Sequence, residues 1–320
     1  MRILIIGKQN HLHWVENVYD AFKKLSYNVN YLFTNKQGNF NDFNRNFLKI
    51  FNKNLSKNYS LNCLNKKILE FSPDIIFVVS PFMYDIKFTE MIESIDSCLK
   101  IGWVGDIFSS EHKAISDKYD KLYFTDSYFL EMAEMFKFKN YSYLPLAANS
   151  NIFYDKKLIR NDNLLFIGNP TKERIDLFYN INKDVKLIGS KWKNINLKNN
   201  IEIVKKDISI YEVAEEYNKS NFVLNLKHSL NVINGLNMRT FEVPACGACL
   251  IQDYVKDLEL NFDLDKEVVT YNNVEELTDL YEKLRKEKKL TKQIIEHSSL
   301  NVHSNHLYIN RINKIIKDIT

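Results

Sequence analysis

The sequence lacks the features that mark secreted and membrane-spanning proteins. No apolar run approaches the roughly 20 residues that a membrane-spanning helix needs. The apolar N-terminal stretch, residues 1–7, is shorter than a signal peptide and leads directly into polar residues, so we expect no targeting leader. Only four cysteines occur in 320 residues, which is typical of a protein kept in a reducing compartment. We therefore expect a cytoplasmic protein whose mild positive charge allows peripheral contact with the inner face of the membrane.

Signatures of several ligand classes are also missing. No block of five or more like charges occurs and the net charge is only +4, so a nucleic-acid-binding role has little support. The first predicted strand leads into Gly7-Lys8-Gln9-Asn10 rather than into G-x-G-x-x-G, which disfavours a dinucleotide-dependent dehydrogenase. Short internal repeats and low-complexity tracts are absent from the sequence, which excludes a solenoid.

What the sequence does contain is an alternation of short apolar strands and amphipathic helices over its whole length. Its 320 residues, 45% hydrophobic and 26% charged, suit two α/β domains of about 150 residues each. The patterns predict strands at residues 3–6, 29–33, 74–79, 100–104, 121–124, 141–144, 163–167, 185–188, 201–204, 222–226, 248–251 and 268–270. Helices are predicted between them, including 14–25, 61–70, 171–179, 211–218 and 274–286. The predicted fold class is therefore α/β, with two Rossmann-like, doubly wound parallel sheets.

The segment Leu144–Arg160 interrupts this alternation and is interpreted as the connection between the domains. We expect domains at residues 1–148 and 149–304, followed by an amphipathic C-terminal helix within residues 305–320. Two such domains in tandem place a cleft between two sets of strand carboxyl ends, which is where Rossmann-like folds bind ligands.

The stretch from Gly235 to Asp253 is the most informative part of the chain. It predicts a loop, a short helix, a tight turn at Gly247 and a buried strand, because Gly247 can take the positive φ that ends a helix. Arg239 and Glu242 stand three residues apart and so lie on one face of the helix. The helix N-terminus suits a phosphate group. The alternative interpretation is an ordinary αβ unit in which Arg239 and Glu242 form a surface ion pair.

Two short motifs resemble metal-binding or redox motifs, but the neighbouring sequence does not support either role. Cys246 and Cys249 form a C-x-x-C pair, but no second cysteine or histidine pair follows, so we interpret them as small buried thiols. Asp263 and Asp265 form the D-x-D found in metal-dependent sugar transferases, but they precede a strand in a polar segment. We interpret this D-x-D as a solvated turn and expect no metal site.

The C-terminal half resembles the CgeB-like (spore-maturation type) glycosyltransferases, which belong to the two-domain GT-B class. The resemblance covers roughly residues 140–315. Each matching segment alone is a weak signal, but the segments follow one another in the same order as in that family. The matching segments are residues 144–148, 166–168 with Arg174, 187–192, 221–226, 235–242, 245–247, 267–271 and 275–277. The N-terminal half matches only in outline.

This resemblance implies a GT-B enzyme of the hexosyltransferase type. It would move a sugar from a nucleotide-diphosphate donor to a glycan, lipid-linked or protein acceptor, without a metal or a further cofactor. The N-terminal domain would bind the acceptor, and the C-terminal domain the donor. The C-terminal helix would cross back onto the N-terminal domain.

The resemblance also implies a donor site in the C-terminal domain. Glu242 matches the glutamate that holds the nucleotide ribose, and Arg239 with the N–H groups near Asn237 would face the diphosphate. The candidate donor-binding residues are Gly168, Asn169, Lys172, Arg174, Trp192, Lys227, Asn237, Arg239 and Glu242.

The stereochemical course and the catalytic base stay open. Many retaining GT-B enzymes carry a second glutamate eight positions before the ribose-binding one, where this chain has Asn234. An inverting transferase needs a base that takes the acceptor proton. Asp106 follows one strand of the N-terminal domain, and His11 and His13 follow another, so these three residues are the candidates by position.

Two other functions fit the same architecture. Sugar-nucleotide epimerases share the two domains and the donor site, and a non-catalytic nucleotide-sugar binding protein would need only the donor site. Incubation with a panel of nucleotide-sugars separates the three: transfer or hydrolysis releases free nucleotide, an epimerase interconverts sugars, and a binding protein does neither. The sequence leaves the sugar, the base, the acceptor and the oligomeric state undefined.

Overall fold

The computed structural model describes residues 1–10, 12–35, 53–96, 98–193, 195–198, 200–227, 232–264 and 266–320. These residues form two compact units, Met1–Pro145 with Ile315–Thr320, and Leu146–Lys314. Each unit contains a parallel six-stranded sheet flanked by helices, which confirms the predicted fold class. Among the described helices, none combines the length and the apolar composition that crossing a membrane requires.

The sheet of the first unit has the strand order β2-β1-β3-β4-β5-β6. The strands β1 and β3 are buried over at least five consecutive residues, as expected for apolar strands covered on both faces of a parallel sheet. The strand bounds are β1 Arg2–Gly7, β2 Asn28–Phe33, β3 Ile75–Val79, β4 Leu99–Val104, β5 Lys121–Phe124 and β6 Tyr141–Tyr143.

The sheet of the second unit has the order β12-β11-β10-β7-β8-β9. Counted from its own first strand, this is the 3-2-1-4-5-6 order of dinucleotide-binding folds, in which the order reverses between β7 and β10. The strand bounds are β7 Asn161–Ile167, β8 Val185–Ile188, β9 Ile201–Val204, β10 Ser220–Asn225, β11 Cys249–Asp253 and β12 Val269–Tyr271.

Helices follow most of the strands, and several begin at a side chain that accepts a backbone N–H. Ser209 and Glu212 form a reciprocal capping box at one helix start, and Asn273 caps another. The helix bounds are α1 Trp14–Lys24, α2 Lys53–Phe71, α3 Ile86–Glu93, α4 Lys113–Ser116, α5 Ser127–Met135, α6 Lys172–Asn180, α7 Ile210–Asn218, α8 Arg239–Ala245, α9 Leu258–Asn261, α10 Val274–Lys286, α11 Lys288–Asn305 and α12 Tyr308–Ile319.

The structure contains one long helix, α11, that the sequence patterns did not predict. Its buried positions are Thr291, Ile294, Ser298 and Val302, which keep helical spacing. Two of the four are small polar residues, so the apolar periodicity that reveals a core-facing helix is weak. The helix α2 also begins earlier than predicted, at Lys53 rather than near residue 61.

The predicted helix, turn and strand around Gly247 are confirmed. Gly247 has φ +70°, a conformation that favours glycine, and a Cβ built at this position would crowd the Asp155 carboxylate at 3.0 Å. Cys246 and Cys249 on either side are buried free thiols, and burial raises the pKa of each to about 12. Cys98 is buried as well, whereas Cys63 on α2 is only half-buried.

The C-terminal helix α12 is amphipathic, as predicted. Tyr308, Ile312 and Ile315 are buried, whereas Asn313 and Lys317 are exposed. Its last residues group with the first unit and its earlier residues with the second.

Candidate functional site

The carboxyl ends of β7 and β10 lie where the strand order of the second sheet reverses, the place where doubly wound folds bind ligands. Arg174 spans this point. Its Nη1 donates to the Asn169 carbonyl after β7 at 2.8 Å, and its Nη2 donates to the Leu226 carbonyl after β10 at 3.2 Å. Only 7% of Arg174 is exposed, and its buried Nε has no hydrogen-bond partner among the described residues. Thr171 caps α6, which places Arg174 on the first turn of that helix.

Arg239, the first residue of α8, brings a second guanidinium group to this place. Its Nη1 donates to Asn225 Oδ1 at 2.7 Å, and its Nε donates to the Tyr217 hydroxyl at 3.3 Å. The guanidinium carbons of Arg174 and Arg239 lie 5.2 and 5.8 Å from the centroid of the Phe166 ring. Burial, and then the charge of Arg239, lower the pKa of Arg174 to about 10. Two positive charges therefore converge on one aromatic ring.

Neither of these arginines has a carboxylate partner within 4.0 Å among the residues that the structure describes. Elsewhere in the same unit, Arg160 pairs with Asp155 at 3.1 Å, and Arg285 lies 3.8 Å from Glu282. Positive charge that is partly buried and has no carboxylate in direct contact is what a site for an anionic ligand requires.

A group of buried polar side chains surrounds Arg239. Asn225 Nδ2 donates to Gln252 Oε1 at 2.8 Å, and the Thr240 hydroxyl donates to the same oxygen at 2.8 Å. Asn237 Nδ2 donates to Asn225 Oδ1 at 3.0 Å. Asn225, Thr240 and Gln252 were not predicted to be site residues. The signal for two of them in the sequence is that Asn225 and Gln252 are polar residues near the ends of otherwise apolar strands.

Glu242 lies one turn after Arg239 on α8 and is 8% exposed. Its carboxylate accepts no hydrogen bond from the side chains and backbone described by the structure, and burial raises its pKa to about 7, against the opposing effect of Arg239. The alternative interpretation of a surface ion pair between Arg239 and Glu242 is wrong, because the carboxylate is buried and the guanidinium is bound to Asn225 and Tyr217.

The remaining donor-site candidates lie around the ends of β7, β8 and β10. The Trp192 indole is fully buried and donates from Nε1 to the Gly168 carbonyl at 2.7 Å, so it supports the loop after β7. Lys172 is exposed at the start of α6, as is Asn169 before it. The backbone N–H of Lys227 donates to Asp253 Oδ1 at 3.0 Å.

The candidate bases belong to the first unit. Asp106 follows β4 and is exposed at the surface, but partial burial of its carboxyl group raises the pKa of that group. His13 precedes α1 with φ 51°, and its Nδ1 lies 3.8 Å from Glu16 Oε1. His11 lies outside the described residues.

The D-x-D segment is only partly described. Asp263 pairs with Lys266 at 2.6 Å on the surface, and Asp265 lies outside the described residues. Over the described ranges, no three histidine, cysteine, aspartate or glutamate side chains are grouped in a way that could hold a metal ion.

Comparison with known proteins agrees with this architecture. Residues 170–317 match the family model described as glycosyl transferase-like, and this range contains most of the donor-site candidates. No curated protein matches the chain in sequence.

Several solved structures match the chain over nearly its full length at low identity. The sucrose-phosphate synthase of Thermosynechococcus elongatus has a TM-score of 0.72 and 9% identity, and the match covers 100% of this chain and 99% of that one. Anabaena Alr3699/HepE in complex with UDP and glucose has a TM-score of 0.69 and 9% identity, over 100% and 99%. The T4 phage BGT in complex with its UDP-glucose substrate has a TM-score of 0.62 and 13% identity, over 100% and 99%. The chain accordingly has the GT-B fold of these structures, and its residues 170–317 match the glycosyl transferase-like family.

Proposed function

We propose that the chain transfers a sugar from a nucleotide-diphosphate donor and that Arg174 and Arg239 bind the diphosphate of this donor. The observation that carries the proposal is the convergence of two guanidinium groups on Phe166 without a carboxylate partner among the described residues. Like charges this close oppose each other, and a diphosphate that lies between them removes the repulsion. Guanidinium groups also match phosphate oxygens in geometry.

Glu242 supplies the contact with the nucleotide ribose in this proposal. A buried carboxylate that accepts no hydrogen bond from the described residues is unfavourable until a donor reaches it. The two hydroxyls of a ribose are donors of the required kind. Their hydrogen bonds to the ionised carboxylate are charge-assisted and therefore strong.

The donor for a first test is a UDP-sugar. Two of the structurally similar proteins, HepE and the T4 phage BGT, were solved with UDP and glucose or with UDP-glucose. These proteins share only 9 and 13% identity with the chain. The base and the sugar of its own donor therefore have to be identified with the panel of nucleotide-sugars.

The chemical step follows from these contacts. The acceptor oxygen forms a bond to the anomeric carbon as the bond from that carbon to the diphosphate oxygen breaks, and the electron pair leaves with the nucleotide diphosphate. Positive charge at Arg174 and Arg239 stabilises the leaving group in the transition state. Since the guanidinium groups supply this charge, we propose that turnover needs no divalent cation. In an inverting reaction the acceptor proton passes to a base of the first unit, for which Asp106, His11 and His13 are the candidates.

The narrower assignment to the CgeB-like subtype is also a proposal. It is supported by the ordered motifs of the second half, from residues 144–148 to residues 275–277. The acceptor is a glycan, a lipid-linked intermediate or a protein, and a lipid-linked acceptor would bring the enzyme into peripheral contact with the membrane.

Titration calorimetry with UDP, and then turnover with a panel of nucleotide-sugars in the presence of EDTA, tests the proposal. We expect UDP to bind the wild type and Arg239→Ala to bind it about ten- to a hundredfold more weakly. Arg285→Ala is the matched control, because Arg285 lies in the same unit on the exposed face of α10. Equal nucleoside-diphosphate affinity in the wild type and in Arg239→Ala would refute the site. Interconversion of the sugar without release of nucleotide would make the chain an epimerase, and binding without turnover would make it a binding protein.

A further inference from the structure

Arg239 is held in place by neutral groups. Its two described side-chain partners are the amide oxygen of Asn225 and the hydroxyl of Tyr217. Buried arginines are commonly fixed by carboxylates, which bind them more strongly but cancel their charge. Here the guanidinium is oriented by neutral hydrogen-bond partners, without a direct contact to a described carboxylate.

Asn225 is itself fixed by a second layer of neutral groups. The parallel pairing of β10 with β11 sets Asn225 directly beside Gln252, and the Asn225 Nδ2 donates to Gln252 Oε1 at 2.8 Å. Thr240, one residue after Arg239, donates its hydroxyl to the same Gln252 oxygen at 2.8 Å. Asn225 and Thr240 have no exposed surface, and Gln252 is 2% exposed.

The direction of these hydrogen bonds determines which end of Asn225 faces the arginine. Because Gln252 Oε1 accepts from the Asn225 amide nitrogen, the Asn225 carbonyl oxygen points the other way and accepts from Arg239 and from Asn237. The same nitrogen also donates to Asn237 Oδ1 at 3.1 Å and to Thr240 Oγ1 at 3.2 Å. A side chain at position 252 that could not accept would remove the shortest of these three hydrogen bonds and loosen the Asn225 amide. The Asn225 oxygen would then hold Arg239 less firmly.

We propose that Asn225, Thr240 and Gln252 form a neutral brace that positions Arg239 for the diphosphate of the donor while leaving the charge of Arg239 available to it. This inference rests on the proposed function, because it assigns Arg239 to the diphosphate. Asn225 and Gln252 are positioning residues, since they act on the donor through Arg239. The brace explains why two apolar strands carry buried amides near their ends at the site rather than further apolar residues, whose burial would stabilise the fold more.

A double-mutant cycle tests the brace through the affinities for UDP and for uridine, measured by calorimetry. The variants are Gln252→Leu, Arg239→Ala and the double variant. UDP and uridine differ by the diphosphate, so their affinity ratio reports on Arg239 and is insensitive to a general loosening of the domain. We expect Gln252→Leu to weaken UDP binding about fivefold, to leave uridine binding unchanged, and to have no further effect on UDP binding once Arg239 is alanine.

The other outcomes separate the two proposals. If Arg239→Ala binds UDP as well as the wild type does, the proposed diphosphate site itself is wrong. Two outcomes would refute the brace and leave the proposed function intact, provided that Arg239→Ala weakens UDP binding. In the first, the effects of Gln252→Leu and Arg239→Ala on the free energy of UDP binding are additive. In the second, Gln252→Leu weakens the binding of UDP and of uridine equally.

Gln252→Glu provides a second variant that keeps the fold. The Gln252 oxygen accepts two hydrogen bonds, so a carboxylate oxygen at the same place keeps both Asn225 and Thr240 as donors. This substitution adds a negative charge near Arg239. We expect UDP affinity to fall by about fivefold or more relative to uridine as the pH is raised and the new carboxyl ionises. A ratio that equals the wild-type ratio at every pH would overturn the requirement for a neutral brace.

Discussion

The Nη2 atom of Arg174 donates a 3.2 Å hydrogen bond to the carbonyl oxygen of Leu226 and so links the start of α6 to the end of β10. The same guanidinium also donates to the Asn169 carbonyl after β7. One side chain therefore fixes the two loops at the point where the strand order reverses. If Arg174 also binds the donor as proposed, a substitution at this residue should affect both stability and donor binding.

Arg174→Lys is predicted to reduce both properties. Lysine keeps the positive charge, but its single ammonium group lacks the fork that reaches the two carbonyls. We expect a loss of about 1–3 kcal/mol in the free energy of unfolding and about tenfold weaker UDP binding, measured by denaturant titration and calorimetry. Arg285→Lys, on the surface of α10, is the control. Wild-type values for both properties in Arg174→Lys would show that the fork is dispensable.

Glu242 is predicted to make the stability of the protein fall as the pH rises. Its folded pKa is about 7, whereas its ordinary value is 4.5, so between these values the folded state binds more protons than the unfolded state. The contribution of this group is therefore fully present below about pH 4.5 and is lost as the pH rises to about 7, by about 3 kcal/mol at most.

Glu242→Gln removes this titration. Denaturant unfolding at about pH 5 and about pH 8 should show a smaller drop in unfolding free energy for Glu242→Gln than for the wild type. Glu275→Gln, at an exposed position on α10, controls for the loss of a carboxylate. Parallel pH profiles for wild type and Glu242→Gln would contradict the burial-raised pKa.

The catalytic base is tested with Asp106→Asn, His13→Ala and His11→Ala. A base that takes the acceptor proton contributes about a hundredfold or more to the rate, whereas it leaves donor affinity intact. We therefore expect one of the three variants to lose about a hundredfold in kcat with unchanged UDP affinity. Near-native turnover in all three variants would show that none of these residues is the base and that another group, such as a phosphate oxygen of the donor, takes the proton.

The C-terminal helix is predicted to be required for a stable fold. Ile312 is fully buried, so Ile312→Ala should cost about 2–5 kcal/mol in unfolding free energy, whereas Asn313→Ala at the neighbouring exposed position should cost little. Deletion of residues 304–320 should lower the melting temperature further, because it exposes the apolar surface that this helix covers. A truncated protein that melts at the wild-type temperature would show that the helix is a loose appendage.

The sequence was sufficient to predict the elements that depend on local patterns. The helix before Gly247 and the strand after it follow from apolar spacing and from a glycine where φ must be positive. Arg174, Arg239 and Glu242 were selected because motifs of a known family preserve their order. Their proximity in the structure is consistent with that selection.

The hydrogen bonds that surround Arg239 could not be predicted from the sequence. Asn225 and Gln252 meet only because β10 pairs with β11 in one particular register, which is a tertiary property. The helix α11 escaped prediction for a different reason. Its core-facing Thr291 and Ser298 are buried through hydrogen bonds and close packing, which leave little apolar periodicity to detect.

The distribution of the four thiols has a practical consequence for labelling the native protein. Cys98, Cys246 and Cys249 are buried, and burial raises the pKa of each thiol, so little thiolate is available to an alkylating reagent. Cys63, on α2 of the first unit, is the most accessible of the four. A maleimide fluorophore added to the folded wild type should therefore attach at a single position, so ligand-induced changes can be followed without engineering a cysteine-free background.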